Sequence, residues 1–247
     1  MKRSEPLRMP EGGRSFFPGF GVFETLRVEK GLPQFVEEHW QALGEAAKAL
    51  GIDRKVDFRR RASGLPPGET GRWRWVVTWE DQWESFARES PSGRVAYSLE
   101  PAPQRVGSTN WDARFKTLSY LTHWQARRAV ASDEALLCNE RGEIASGACS
   151  NLFWVCGQSI FTPAPEAGCR AGVVRGWVMG RCKVVEGCFP LATLEEAEEI
   201  FLTNSWIGIM PVNRYLGRAF PIGPVVRRLR KELEAALQGT TSSRKTR

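Results

Sequence analysis

Lys116 is the residue of this sequence best placed to do chemistry. It stands in Phe115-Lys116-Thr117-Leu118, an apolar setting rather than a charged run, after a Pro-containing stretch and before a helical pattern. An amine that loses part of its hydration has a lowered pKa, so more of it is the free nucleophile that condenses with carbonyl groups. Position alone would leave it an ordinary surface lysine; its weight comes from the segments around it. Other chemistry fares less well. The six cysteines (Cys138, Cys149, Cys156, Cys169, Cys182 and Cys188) form no C-x-x-C pair, and neither His39 nor His123 lies beside a cysteine pair. No zinc site is expected from that spacing. Most of the cysteines read as small, reduced core residues.

The elements that must position Lys116 divide the chain in two. Residues 22–28 have strand propensity, with alternate side chains on opposite faces. Gly31-Leu32-Pro33 ends that strand. A helix then covers residues 36–50, with Val36, His39, Trp40, Leu43, Ala47 and Leu50 in one stripe and Gly51 at its close. A loop surrounds residues 64–68, and residues 73–79 and 95–99 read as strands. Residues 1–108 are therefore expected to form a small N-terminal α/β domain, with residues 101–110 as its linker.

Residues 109–238 are expected to form a larger, mostly β domain carrying Lys116. A helix follows the lysine, with Leu118, Leu121 and Ala129 on one face. Short strands at 134–138, 152–155 and 160–162 alternate with turns at 139–142 and 157–158, and 200–203 is a further strand. A closing helix at 225–237 has Val225, Leu229, Leu233 and Ala236 near one face. The tryptophans, including Trp73, Trp75, Trp79 and Trp83, read mainly as strand and core packing. Residues 239–247, rich in Ser, Thr and basic residues, read as a disordered tail. The fold class is α+β.

The formal charge of +7 is concentrated in part at the C-terminal end, around Arg227, Arg228, Arg230 and Lys231, and no nucleic-acid-binding motif accompanies it. No apolar run is long enough to span a bilayer. Met1-Lys2-Arg3-Ser4-Glu5-Pro6 begins basic but lacks the apolar stretch of a signal peptide. Neither a nucleic-acid nor a membrane partner is expected, and the location expected by default is cytoplasmic.

Several segments together give Lys116 its weight. Residues 19–27 (GFGVFETLR) resemble a G-D-G-V-F-E-T-x-R segment, and residues 35–43 resemble a helix with an E-H-x-x-R-L pattern. Phe115-Lys116-Thr117-Leu118-Ser119-Tyr120-Leu121 looks like a segment carrying a Schiff-base lysine. Residues 133–143 and Ser150-Asn151-Leu152-Phe153 resemble a central hairpin. Thr162-Pro163, Gly168 and Ala171-Gly172-Val173-Val174-Arg175 match T-P-x-x-x-x-G-I-x-x-G-I-T-R. Residues 201–212 resemble the late strand and loop. In this order, from about residue 19 to residue 220, they are similar to the class IV aminotransferase-like (fold type IV) pyridoxal-phosphate enzymes. Within that family the motifs lie nearest the 4-amino-4-deoxychorismate lyases, with Thr25 and Asn204 as the lyase-like positions.

The resemblance implies a small N-terminal domain, a larger β-barrel-like domain with helices, and a homodimer. It implies pyridoxal 5'-phosphate between the domains and a small amino-acid-like substrate. Lys116 would be the Schiff-base lysine and then general base and acid at the substrate's α and β carbons. Thr25 would assist proton delivery, and Tyr120 would bond the ring oxygen. The N–H groups of Val173 and Val174 would bind the phosphate, with Asn204 and Ser205 approaching it.

The sequence departs from the family pattern at four positions. Ser146 stands where a glutamate pairs with the ring nitrogen, and a hydroxyl cannot supply that charge. Period-2 geometry leaves Glu143 and Glu140 off its face. Ala42 replaces an arginine at the phosphate, Val174 replaces a threonine there, and Phe20 replaces an aspartate. The first functional expectation is a lyase giving 4-aminobenzoate and pyruvate toward folate. The second is a class IV amino-acid aminotransferase. The third is a repurposed member that has lost normal cofactor binding, or that turns Lys116 to another carbonyl ligand.

Overall fold

The computed structural model describes residues 19–53 and 65–243. The basic N-terminal residues, the start of the 64–68 loop and the last four residues of the expected tail lie outside the described residues. Two sheets organise the rest. In the first, β1 (Gly21–Glu29) pairs with β2 (Leu32–Pro33) and, antiparallel, with β3 (Gly71–Thr78), which pairs in turn with β4 (Gln82–Arg88). The alternation of β1 is the reason it works. Val22, Glu24, Leu26 and Val28 point to the covered face, and Phe23, Thr25 and Arg27 are only partly covered. Trp73 and Trp75 are buried with that core, as the strand pattern suggested. Helix α1 (Val36–Ala49) lays His39, Leu43, Ala46 and Ala47 on the sheet. Its entry residue, Phe35, is held in the left-handed region at φ 53°, and its ring packs against the core of the second sheet.

The second sheet begins with β5 (Tyr97–Val106) and continues through β6 (Glu134–Asn139), β7 (Ile144–Gly147), β8 (Asn151–Cys156), β9 (Ser159–Pro163) and β10 (Val184–Gly187). It is completed by β11 (Glu199–Asn204), β12 (Gly208–Tyr215) and β13 (Arg218–Ala219). The order is β10-β9-β8-β11-β12-β5-β6-β7, with β13 on β12. β6, β8 and β11 are buried almost end to end, because both of their faces are covered. Phe153, Phe201, Val174, Leu229 and Leu233 fill one layer, and Leu136, Trp154, Leu202 and Val212 another. The short helices α2 (Trp111–Arg114), α3 (Leu121–Ala129) and α4 (Val173–Met179) and the long α5 (Pro224–Ser243) cover these faces. The architecture is the expected mixed α+β fold.

Three sequence expectations shift. Residues 101–106, read as linker, belong to β5, so the break between sheets falls at residues 89–96 rather than at residue 108. Pro101 and Pro103 disguised that strand, yet the ladder to β6 shifts register between Pro101 and Arg105 and so accommodates them. The helix after Lys116 starts only at Leu121, and its buried residues are His123 and Ala126, while Leu121 is 64 % exposed. The closing helix reaches Ser243, so residues 239–243 of the expected tail are helical. Among the described residues, no helix is long and apolar enough to cross a membrane.

The segment around Lys116 is tied to the first sheet. The Phe23 N–H donates to Lys116 O at 2.8 Å and the Leu118 N–H to Gly21 O at 2.9 Å. These bonds use the edge of β1 that β3 leaves free. On the other sheet, Glu199 of β11 is buried and accepts from the N–H groups of Val225 (3.0 Å) and Val226 (2.8 Å) at the start of α5. A carboxylate there satisfies orphan donors and meets the positive end of the helix dipole. A Cβ on Gly223 would overlap it. Replacing Glu199 with Ala is expected to cost about 3 kcal/mol by leaving both donors unpaired. That corresponds to roughly 6–12 °C in a thermal melt. Glu199→Gln, which keeps an acceptor, should lose less.

Candidate active site

A pocket opens where the two sheets meet. β1 contributes Glu24, α1 contributes His39 and Ala42, and the segment tied to β1 contributes Lys116. The end of β7 supplies Ser146 and Gly147, and the β7–β8 turn supplies residues 148–150. Residues 170–173 lead into α4, and Thr203, Asn204 and Ser205 close β11. Each wall has a local reason for its shape. Gly147 N–H donates to Ser150 O at 2.8 Å, closing the turn, and a Cβ on Gly147 would overlap the Ser150 hydroxyl. Asn204 braces that turn: Nδ2 donates to Cys149 O at 2.9 Å, and Oδ1 accepts from the N–H groups of Trp206 (2.9 Å) and Ile207 (2.8 Å). Gly172 precedes α4 with no room for a Cβ beside Asn151.

A chain of polar contacts, one ion pair and two hydrogen bonds, crosses the pocket. Glu24 Oε2 lies 4.0 Å from Lys116 Nζ and 2.7 Å from His39 Nδ1, and His39 Nε2 lies 2.8 Å from Ser205 Oγ. Only 10 % of the Glu24 side chain and 2 % of the His39 side chain are exposed. Burial alone would raise the Glu24 pKa; the Lys116 ammonium, the His39 hydrogen bond and charge, and Arg170 overcome it and hold the carboxyl at about 2. An ionised carboxylate only accepts, so His39 Nδ1 carries a proton, and in the neutral ring Nε2 accepts from the Ser205 hydroxyl. Burial pulls the Lys116 amine below its ordinary value; Glu24 opposes that shift and Arg170 adds to it.

His123 stands at the same pocket, its ring stacked on Tyr120 with centroids 4.6 Å apart. Burial, with Arg170 adding to it, lowers its pKa to about 4, and its buried Nδ1 has no hydrogen-bond partner.

Of the residues singled out in the sequence, Lys116, Ser146, Val173, Asn204 and Ser205 line this pocket. Thr25, Tyr120 and Val174 do not. The pleat of β1 turns Thr25 away from Glu24, and its Oγ1 lies 3.5 Å from Nε of Arg74, its cross-strand partner. Tyr120 donates to Ala148 O at 2.8 Å, so it supports the wall from behind. The Val174 side chain is buried in the second core. Glu140 bonds Ser108, and Glu143 bonds Asn139 and Arg141, so neither carboxylate serves Ser146. Among the residues that sequence reasoning did not assign to the site, Glu24, His39, His123 and Arg170 also belong to it. The first was legible as a charged residue on the apolar face of an alternating strand, and His39 as the polar member of an apolar helical stripe.

Comparison with known proteins fits this geometry. A family model described as amino-transferase class IV matches residues 21–215. The aminodeoxychorismate lyase of Bacillus subtilis (strain 168) is 26% identical over 231 residues, covering 81% of this chain and 78% of that protein. A probable branched-chain-amino-acid aminotransferase of Thermotoga maritima is 30% identical over 242 residues, covering 86% and 85%. The crystal structure of an aminotransferase from Brucella abortus bound to the co-factor PLP superposes with a TM-score of 0.80 at 18% identity, over 96% of each chain.

The buried rings and carboxylates make stability depend on pH in a defined direction. A histidine held at about 4 instead of 6.5 takes up its proton more readily when unfolded. Its contribution is therefore complete above pH 6.5 and falls by about 3 kcal/mol by pH 4. Glu24 adds a second loss below its ordinary pKa of 4.5, continuing down to about 2. Urea unfolding at pH 7, 6, 5 and 4 should show the first loss in the parent protein. In His123→Phe, which keeps the stacking on Tyr120, the same window should flatten while the fall below pH 4.5 persists.

Proposed function

The chain belongs to the class IV amino-transferases, and from that membership we propose that it is a pyridoxal-phosphate-dependent lyase. Its substrate on this reading is 4-amino-4-deoxychorismate, giving 4-aminobenzoate and pyruvate on the route to folate. The observation that carries the reading is the Lys116 amine itself. It is three-quarters buried at the wall of the pocket, its pKa is lowered, and the Glu24 carboxylate stands 4.0 Å away. The chemistry that pyridoxal phosphate contributes when bound is an aldehyde for an amine to condense with and a ring that withdraws electrons from the substrate's α-carbon.

The residues present fit such a group. The N–H group at the start of α4, at Val173, offers a donor to an anionic end. The hydroxyl of Thr203, fully buried at the pocket, has no partner, as expected of a group that awaits a ligand. On the β7–β8 wall Ser146 offers a hydroxyl, which can bond a ring nitrogen without fixing a positive charge on it. That handicaps a full transamination more than a one-way elimination, and so favours the lyase.

In this reading Lys116 would take a proton from the α-carbon, the bond from the β-carbon to the enolpyruvyl oxygen would break, and Lys116 would deliver the proton to the departing enolpyruvyl group, which leaves as pyruvate. Glu24 stabilises the ammonium form between those steps, while His39 and Ser205 fix the direction in which Glu24 points. Tyr120 holds the turn at Ala148, and Thr25 positions Arg74 beside the Phe23 ring. The protein would be a homodimer, as family resemblance suggests, and cytoplasmic by default. A second reading, a family member that binds a ligand without the cofactor, draws on Ser146 and Ala42, both at the pocket.

Pyridoxal phosphate added to the purified protein is expected to give a visible absorbance band that borohydride fixes and that Lys116→Ala lacks. The loaded protein should then release pyruvate and 4-aminobenzoate from aminodeoxychorismate. Amino transfer from branched-chain amino acids without pyruvate release would turn the reading to an aminotransferase. No band at saturating cofactor would leave the second reading.

A further inference from the structure

Among the Glu, Lys and Arg side chains at this pocket, Arg170 is the one that the proposed chemistry leaves without a task. Its backbone is fixed: Arg170 O accepts from Asn151 Nδ2 at 2.8 Å and from Gly172 N–H at 2.9 Å, just before α4. Its side chain lines the pocket, and Nε is buried with no hydrogen-bond partner. Among the described residues, its guanidinium has neither an ion pair nor a hydrogen bond. Other arginines near the site are engaged. Arg175 pairs with Glu186 and donates to Pro163 O, and Arg141 pairs with Glu140 and Glu143. The charges of the lining do not balance either. Glu24 is its single carboxylate, already shared between His39 and Lys116, whereas Lys116 and Arg170 are both cations.

We propose that Arg170 is an anion-binding residue of this pocket, holding a phosphate or carboxylate oxygen of the ligand. A planar guanidinium with five donors suits either group, because both present two oxygens in one plane. An unpaired, partly desolvated cation is costly in the free protein, and a ligand anion removes that cost. The wall contributed by Ala42 presents only a methyl group to the same pocket, so it does not contest the anion. Burial lowers the pKa of both Lys116 and His123, and the Arg170 charge adds to that shift in each. The inference rests on the pocket being the ligand site of the proposed function, but not on which cofactor fills it.

Calorimetric titration of the full chain with pyridoxal phosphate, pyridoxal, inorganic phosphate and succinate tests it, using the parent protein, Arg170→Leu and Arg170→Lys. The Leu variant is expected to bind the anion it serves about ten- to hundredfold more weakly. The Lys variant should fall between, since it keeps the charge and loses the fork. The free Leu variant should melt no lower than the parent, because its arginine has no protein partner to lose. Weakening for pyridoxal phosphate and inorganic phosphate, with pyridoxal unaffected, identifies a phosphate oxygen. Weakening for succinate alone identifies a substrate carboxylate. Binding of phosphate or succinate through Arg170 in a protein that takes no pyridoxal phosphate would sustain this inference and sink the proposed function. Equal affinities of parent and Leu variant for all four ligands, or no binding of any by the parent, would overturn the inference.

Discussion

Glu24 sets an ionised carboxylate where a tenth of its side chain meets solvent, and a buried charge left unpaired costs several kcal/mol. This carboxylate and its two partners come from three separate parts of the chain. β1 supplies the carboxylate, α1 supplies His39, and the segment joining β5 to α3 supplies Lys116. Through His39 the end of β11 enters as well, at Ser205. Satisfying one carboxylate therefore brings both sheets to the same point. The pocket is what remains between groups that must approach each other for electrostatic reasons.

The opposite wall is held by neutral bonds. Asn204 uses its amide oxygen on the β11–β12 turn and its amide nitrogen on Cys149 O, while Tyr120 reaches Ala148 O from behind. The residues on the β7–β8 turn are thus fixed by main-chain bonds that do not depend on their side chains. A change of side chain at Ser146 therefore leaves the wall in place. The chemistry of a position can change here while its geometry stays.

Much of the fold was legible, because strong alternation and helical periodicity survive wherever a segment has one buried face. β1, β3, α1 and α5 are of this kind. β5 was obscured by its prolines, and β4 by a lack of buried alternation, since its residues are half-covered or exposed. The site was legible through its nucleophile and the segments around it. Its electrostatic partners were harder to find, because Glu24 and His39 lie in patterns that otherwise read as core, and nothing in the spacing of residues 168–172 indicates which way the Arg170 side chain points. Thr25 shows the limit of reading by motif: it is next to a pocket residue in sequence, and the pleat therefore turns it to the other face.

β1 has one edge that β3 covers and another that β2 reaches only at Val28 and Glu29. Further along, residues 116–118 occupy it, through the bonds at Gly21 and Phe23. An open strand edge invites pairing with other chains. The backbone of the lysine segment is thus also a guard against self-association, whatever the amine does. Its path would be retained for solubility even in a descendant with no use for the chemistry. For the same reason the small sheet is a poor candidate for exchange between proteins, since a copy moved without residues 116–118 would carry an unprotected edge into its new host.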